Sequence, residues 1–94
     1  MAKVAAKIYI EGFVQGIGFR QYAYRKSQEC GVQGYVRNLR DGRVQVYAEG
    51  DQEAMDSFLM LLRRGPVGAR VKSMQVLQAP YTGKYKEFSI LFDI

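Results

Sequence analysis

A glycine-rich stretch, residues 12–20, separates an alternating apolar run from a run with helical spacing. Three glycines in seven residues allow the backbone to curl tightly, with several N–H groups turned toward one small volume. If a helix begins where this loop ends, its N-terminus adds partial positive charge to the same volume. Arg20 adds a full charge and a planar set of donors suited to phosphate or carboxylate. The stretch therefore predicts a binding site for a small anion between a strand and a helix.

The elements around this loop follow from periodicity. In residues 4–11 one face carries Val4, Ala6, Ile8 and Ile10 and the other Ala5, Lys7, Tyr9 and Glu11, a pattern typical of a half-buried strand. Helical spacing then runs from about Arg20 to Cys30, although Lys26 and Ser27 interrupt the apolar stripe, and Gly31 can end the helix in a left-handed cap. Cys30 is the only cysteine, and we expect it to pack on a helix face.

A hairpin and a second helix follow. Asp-Gly at positions 41 and 42 lies between two alternating runs, and we expect both of these turn residues to have positive φ. Asp51 can cap the second helix, whose apolar stripe consists of Met55, Phe58, Leu59 and Leu62. Strands are predicted at residues 71–77 and 88–92, with a loop between them.

The element order is β-α-β-β-α-β with a short extra strand. Two interlocked right-handed β-α-β crossovers give an α+β, ferredoxin-like α/β sandwich, in which an antiparallel sheet carries two helices on one face. The first strand then lies inside the sheet. The loop that follows it should emerge beside the end of the strand that contains residues 35–39.

Composition narrows the class of protein. The 94 residues suffice for one core, and we expect residues 1–94 to form one domain. No apolar run approaches the ~20 residues that cross a bilayer, and the start lacks the apolar block of a secretory signal, so we expect a cytoplasmic protein. The 14 Lys and Arg against 9 Asp and Glu favour an anionic partner. The absence of histidine removes the commonest general base and zinc ligand.

Two motifs resemble those of the acylphosphatase family. The first runs apolar-x-Gly-x-Val-Gln-Gly-Val-x-Phe-Arg and is matched by Ile10, Gly12, Val14, Gln15, Gly16, Phe19 and Arg20. The second runs Gly-aromatic-Val-basic-Asn, three residues, Gly-x-Val, five residues, Gly, and is matched by Gly34, Tyr35, Val36, Arg37, Asn38, Gly42, Val44 and Gly50. Ile17 stands where valine is usual, and we expect activity to survive this change. The resemblance covers essentially the whole chain.

The resemblance implies an enzyme that hydrolyses acyl phosphates to a carboxylate and inorganic phosphate. It implies two catalytic residues, Arg20 to bind phosphate and Asn38 to position water. Phosphate-binding backbone amides are implied at Gln15, Gly16, Ile17, Gly18 and Phe19. We expect a small-molecule acyl phosphate as substrate, inorganic phosphate or sulfate as a ligand, and neither a metal nor another cofactor. We also expect a monomer with no membrane and no nucleic-acid partner.

This reaction suits a chain without histidine. The leaving group is a carboxylate whose conjugate acid has a pKa of roughly 4, so it departs without a general acid. The phosphoryl transition state is loose, so the position of the attacking water matters more than a strong base.

Two other functions are compatible with the same fold. An RNA-recognition domain has this element order and stacks bases on its open sheet face, where Tyr9, Tyr35 and Tyr47 are predicted to lie. The third strand, however, lacks the aromatic-glycine-aromatic pattern of that module. A non-catalytic accessory domain is the other alternative, because similar domains occur at the front of a large carbamoyl-transferring maturation protein.

Overall fold

A computed structural model describes residues 2–93. The elements in chain order are β1 (Lys3–Phe13), α1 (Phe19–Cys30), β2 (Gln33–Asn38), β3 (Val44–Asp51), α2 (Gln52–Arg64), β4 (Arg70–Ala79) and β5 (Phe88–Ile90). They form one five-stranded sheet in the order β4-β1-β3-β2-β5. The ferredoxin-like α+β fold is confirmed, and β1 lies inside the sheet between β3 and β4. Neither described helix is long and apolar enough to cross a membrane.

The core lies between the two helices and one face of the sheet. Its largest fully buried side chains include Ile8 and Ile10 from β1, Phe19 from α1, and Phe58 and Leu62 from α2. Burial of each such side chain stabilises the fold by about 1.5–3 kcal/mol. Because Phe19 is the first residue of α1, the core fixes the place where the glycine-rich loop becomes a helix.

The short extra strand is where the sheet departs from antiparallel pairing. The four strands β4-β1-β3-β2 are antiparallel, but β5 is parallel to β2 at the far edge. Residues 80–87, which we call the crossing segment, connect β4 at one edge to β5 at the other. The segment lies on the helix-free face, where Thr82 and Gly83 bond to Glu49 and Tyr85 packs against Tyr47. Part of the predicted open face is therefore covered.

Several local predictions are confirmed and others are wrong. Helix α1 ends at a left-handed Gly31, as predicted. Ser27, in contrast, does not interrupt the buried stripe of α1, because it is fully buried and its Oγ donates to the carbonyl of Tyr24 at 2.6 Å. Cys30 is partly buried and packs against the core, as expected.

The β2–β3 hairpin does not have positive φ at both predicted turn residues. In the described chain only glycines have positive φ, so Asp41 does not and Gly42, at 96°, does. The N–H of Gly42 donates to the carbonyl of Leu39 at 3.2 Å, which makes a turn centred on residues 40 and 41. The carboxylate of Asp41 accepts from the backbone and side chain of Arg43 instead. This is a three-residue loop with a left-handed glycine, and not the two-residue turn.

Asp51 occupies the N-cap position of α2, but its side chain makes no capping hydrogen bond. Its carboxylate lies 2.9 Å from the ammonium of Lys3 on β1. The predicted capping bond is therefore wrong, because a cation on the neighbouring strand attracts the carboxylate away from the helix. The rest of α2 matches the prediction, with Met55, Phe58 and Leu62 buried.

Candidate active site

A cavity of about 220 Å³ lies where the glycine-rich loop meets the end of β2. We call it the loop cavity, and it is lined by Val14, Gly16, Gly18, Phe19, Arg20, Gln21, Asn38 and Ile90. Arg20 and Asn38, predicted from two separate motifs, thus share one cavity. Of the other predicted site residues, Gly16, Gly18 and Phe19 line it, whereas Gln15 and Ile17 do not.

Two left-handed glycines shape the loop. Gly16 has φ 78° and Gly18 has φ 80°, a backbone region that residues with a Cβ rarely adopt. Gly18 is also the N-cap of α1, and the first helical bond runs from Tyr22 N–H to its carbonyl at 2.9 Å. Among residues 2–93, no hydrogen bond is donated by the backbone N–H groups of residues 15–19. These donors and the N-terminus of α1 are available to an anion.

Gly12 has a different role, one residue before β1 ends and the loop begins. The register between β1 and β4 shifts between Glu11 and Gly12. A Cβ on Gly12 would lie 2.1 Å from the carbonyl oxygen of Arg70 and 2.7 Å from the backbone nitrogen of Lys72. The two backbones can approach this closely only because residue 12 has no side chain. Gly12 therefore allows the last residues of β1 to stay paired with β4 up to the start of the loop.

Gln15 joins the loop to the β2–β3 hairpin. Its side-chain Nε2 donates to the carbonyls of Leu39 at 2.8 Å and Arg43 at 2.9 Å. The side chain thus points toward the hairpin and not into the loop cavity. Leu39 directly follows Asn38, which lies across the cavity from the loop. These bonds therefore hold the loop next to Asn38.

Asn38 is the last residue of β2, and only 7 % of it is exposed. Within residues 2–93, the side chain of Asn38 makes no hydrogen bond to another protein group. Every fully buried side-chain polar atom in these residues does have a hydrogen-bond partner, so the polar atoms of Asn38 are not fully buried. The carboxamide is therefore reached by solvent through the cavity. An amide with free donors and an acceptor in such a place can hold a water molecule.

The guanidinium of Arg20 contacts a carboxylate that the sequence motifs do not indicate. Its Nη1 donates to Asp93 Oδ1 at 2.9 Å, and 37 % of the Arg20 side chain is exposed. Asp93 does not line the loop cavity. An arginine has five N–H donors, so this single bond leaves the others free for an anion. No periodicity connects residues 20 and 93, and sequence reasoning had no signal for the pair.

A second buried polar cluster lies on the opposite face of the sheet. Glu49 is 1 % exposed and accepts hydrogen bonds from Tyr47, Thr82 and Gly83. Burial raises the pKa of the Glu49 carboxyl, but these hydrogen bonds outweigh it, and the pKa is lowered. Burial, together with the bond to Glu49, raises the pKa of Tyr47 to about 12. The sequence does not indicate this role for Glu49, because an isolated Glu in a strand usually faces solvent.

The tyrosines of the RNA-binding alternative are largely engaged within the protein. Tyr47 is 6 % exposed and stacks on Tyr35 at a ring distance of 5.7 Å. Tyr85 from the crossing segment packs against both rings. The guanidinium of Arg43 lies 4.9 Å from the ring centre of Tyr9. These aromatic faces are occupied by neighbouring side chains.

No cluster of three or more His, Cys, Asp or Glu side chains that could hold a metal ion occurs within residues 2–93. Arg20 brings a full positive charge to the loop cavity, and the N–H groups of the loop and of the N-terminus of α1 bring partial positive charge. This arrangement suits the binding of a phosphoryl oxygen.

Comparison with known proteins agrees with the two sequence motifs. Residues 6–90 match the model of the acylphosphatase family. An acylphosphatase of Methylococcus capsulatus is 46% identical over 87 residues, which are 93% of this chain and 95% of the relative. The crystal structure of acylphosphatase from Bacillus subtilis superposes with a TM-score of 0.90 at 31% identity, covering 94% of this chain and 98% of the other. A HypF structure from T. kodakarensis also matches, with a TM-score of 0.82 at 31% identity, over 94% of this chain and only 12% of HypF. This chain belongs to the acylphosphatase family and is an enzyme of that type.

Proposed function

We propose that this enzyme hydrolyses the carboxyl–phosphate bond of acyl phosphates, giving a carboxylate and inorganic phosphate. In this proposal Arg20 and the backbone amides of residues 15–19, of which Gly16, Gly18 and Phe19 line the cavity, bind the phosphoryl group. Asn38 positions the attacking water. The observation that supports it most is the presence of Arg20 and Asn38 in one small cavity with the loop glycines. The family membership and the names of the relatives support the reaction class.

Binding rests on charge and on donor geometry. An acyl phosphate carries its negative charge on the terminal phosphoryl oxygens. Unpaired loop amides and the N-terminus of α1 supply partial positive charge, and Arg20 supplies a full one. Because these donors are held in place by the core and by Gln15, little reorganisation is needed as charge develops on the phosphoryl oxygens. Inorganic phosphate or sulfate should occupy the same place.

The chemical step then needs a correctly placed water molecule. Water held by the carboxamide of Asn38 attacks phosphorus in line with the leaving oxygen, and the bond between phosphorus and the carboxylate oxygen breaks. The carboxylate leaves with the bonding electron pair and needs no proton, since its conjugate acid has a pKa of roughly 4. One proton of the water passes to a phosphoryl oxygen. The products are a carboxylate and monohydrogen or dihydrogen phosphate.

This mechanism requires neither a histidine nor a metal ion. The protein itself supplies the cationic groups, and the substrate accepts the proton. We therefore propose that turnover is independent of divalent metal and that no single protein group controls kcat between about pH 5 and 8. A kcat profile with one sharp protein-derived transition in that range would contradict the proton transfer to phosphate.

The test is the hydrolysis of benzoyl phosphate by the purified protein in ¹⁸O-labelled water, with a chelator present. We expect turnover at the same rate with and without the chelator, and the label in the phosphate, because attack occurs at phosphorus. Label in benzoate would show attack at the carbonyl carbon and overturn the proposed step. A chain with no hydrolytic activity toward the compound would overturn the proposed function.

A further inference from the structure

We propose that the acyl group of the substrate lies in a groove between α1 and β5, and that this groove favours acyl phosphates with an uncharged, apolar acyl group larger than acetyl. The inference rests on the proposed function, because it assumes that the phosphoryl group occupies the loop cavity. The two sequence motifs concern the phosphoryl group of the substrate and do not indicate where its acyl group binds.

The groove adjoins the loop cavity. It has a volume of about 400 Å³ and is lined by Gln21, Tyr24, Glu87, Phe88, Ser89 and Ile90, which we call the acyl groove. Gln21 and Ile90 also line the loop cavity. An acyl group attached to a phosphoryl group in the cavity can therefore pass between these two side chains into the groove.

The dimensions of the groove suit a ring or a short chain. Along α1, Gln21 and Tyr24 are three residues apart, which is about 4.5 Å of helix rise. Along the other wall, residues 90 and 87 are three residues apart, which is about 10 Å in extended chain. In this proposal a single methyl group stays beside Gln21 and Ile90, which line both spaces, whereas an aromatic ring or a chain of several carbons extends toward Tyr24.

The exposed surface of the groove is partly apolar. Tyr24 is 38 % exposed and Ile90 is 36 % exposed, so both present apolar surface that a substrate can cover. The chain that follows Ile90, on the side away from Tyr24, leads to Asp93, whose carboxylate pairs with Arg20. An apolar acyl group is therefore better accommodated on the Tyr24 side.

Glu87 adds a charge preference at the far end of the groove. Its side chain is exposed, while its backbone carbonyl accepts a hydrogen bond from the N–H of Gly34 at 3.1 Å. A carboxylate at this end repels an acyl group that carries a second, distal negative charge. The preferred substrates thus have an apolar acyl group without a terminal anion.

The experiment compares kcat/KM for benzoyl phosphate and acetyl phosphate in wild type and in Tyr24→Ala. Tyr24 does not line the loop cavity, so hydrolysis of acetyl phosphate should be unchanged. For benzoyl phosphate we expect a fall of about fivefold to tenfold, because an apolar contact to the ring is lost. Comparing the variant with wild type for each substrate removes the difference in intrinsic reactivity between the two. Met60→Ala, an exposed side chain on α2 that lines neither space, is the matched control and should change neither value.

A second variant tests the charge preference. Glu87→Gln keeps the backbone bond to Gly34 and should raise kcat/KM for succinyl phosphate, which has a distal carboxylate, by about threefold, with little change for benzoyl phosphate. The inference is overturned if Tyr24→Ala lowers both substrates equally or leaves both unchanged. Failure of wild type to hydrolyse either compound would instead overturn the proposed function, so the two failures are distinguishable.

Discussion

Replacing Glu49 by glutamine tests the buried cluster that holds the crossing segment on the sheet. Oε2 accepts hydrogen bonds from Tyr47 Oη at 2.5 Å and from Thr82 N and Oγ1, both at 2.7 Å. Oε1 accepts from Gly83 N–H at 3.1 Å. A glutamine can keep one acceptor, but its amide group must then face another donor. The substitution keeps the size of the side chain and removes its charge.

The cost follows from these contacts. A hydrogen bond to a charged group contributes about 1.5–3 kcal/mol and a neutral one about 1 kcal/mol, while an unsatisfied buried donor costs about 1–3 kcal/mol. Three weakened bonds and one unpaired N–H of Gly83 would sum to several kcal/mol, and the smaller desolvation cost of a neutral amide offsets part of it. We expect Glu49→Gln to lower the free energy of unfolding by about 2–4 kcal/mol.

The same contacts predict a dependence on pH. The pKa of Glu49 is lowered in the folded protein relative to its usual value near 4.3. When the pKa of a carboxyl is lower in the folded than in the unfolded protein, the charged carboxylate stabilises the fold at pH values above the unfolded-state pKa. This contribution is lost as the pH falls through the folded-state pKa. Wild type should therefore lose this contribution below about pH 4, and Glu49→Gln should not.

Urea denaturation followed by circular dichroism at pH 7 and at pH 3.5 measures both effects. Glu11→Gln is the control, since Glu11 is exposed and accepts one hydrogen bond, from Ser73 at 3.0 Å. We expect its unfolding midpoint to stay near that of wild type. If Glu49→Gln and Glu11→Gln have the same midpoint at pH 7, the reasoning about the buried carboxylate is wrong.

Three further predictions concern the sheet and the site. Gly12→Ala should lower the free energy of unfolding by at least about 2 kcal/mol, measured by urea denaturation, because the new Cβ would lie 2.1 Å from the Arg70 carbonyl; an unchanged midpoint would contradict this. Because the pKa of Tyr47 is raised to about 12, wild type should lose stability between about pH 10 and 12. Tyr47→Phe should lack this part of the decrease in the free energy of unfolding. Curves of unfolding free energy against pH that are parallel for the two proteins would refute the prediction. Asp93→Asn removes the anion 2.9 Å from Arg20 and should lower the inhibition constant of phosphate about twofold to fivefold at low salt. A raised constant would show that Asp93 instead holds the guanidinium in place.

The parts of the fold that the sequence predicts are those governed by local pattern. Alternation in β1 and helical spacing in α2 both correspond to the observed burial, since each depends on neighbours within a few residues. Local pattern fails where a distant group intervenes. Asp51 lies at a helix start but pairs with Lys3, and Ser27 is polar but satisfies its hydroxyl within its own helix.

The site shows the same division. The motifs place Arg20 and Asn38 at the ends of two elements that the ferredoxin-like topology brings together, so their meeting could be predicted. The contact between Arg20 and Asp93 could not, because it joins the first helix to residues after the last strand. The acyl groove likewise depends on β5 pairing in parallel with β2, which no turn signal indicates.

The most direct test of the central claim measures phosphate affinity and kcat side by side in variants of the two cavity residues. Arg20→Gln should weaken phosphate binding at least about tenfold and lower the rate of benzoyl phosphate hydrolysis as well. Asn38→Ala should keep the phosphate dissociation constant within about threefold while kcat falls about a hundredfold, since it removes the group that aims the water. Arg25→Gln and Gln33→Ala, on the same helix and strand but outside the cavity, should resemble wild type. Equal and small effects of Arg20→Gln and Asn38→Ala on both quantities would contradict the assignment of binding to one residue and water positioning to the other.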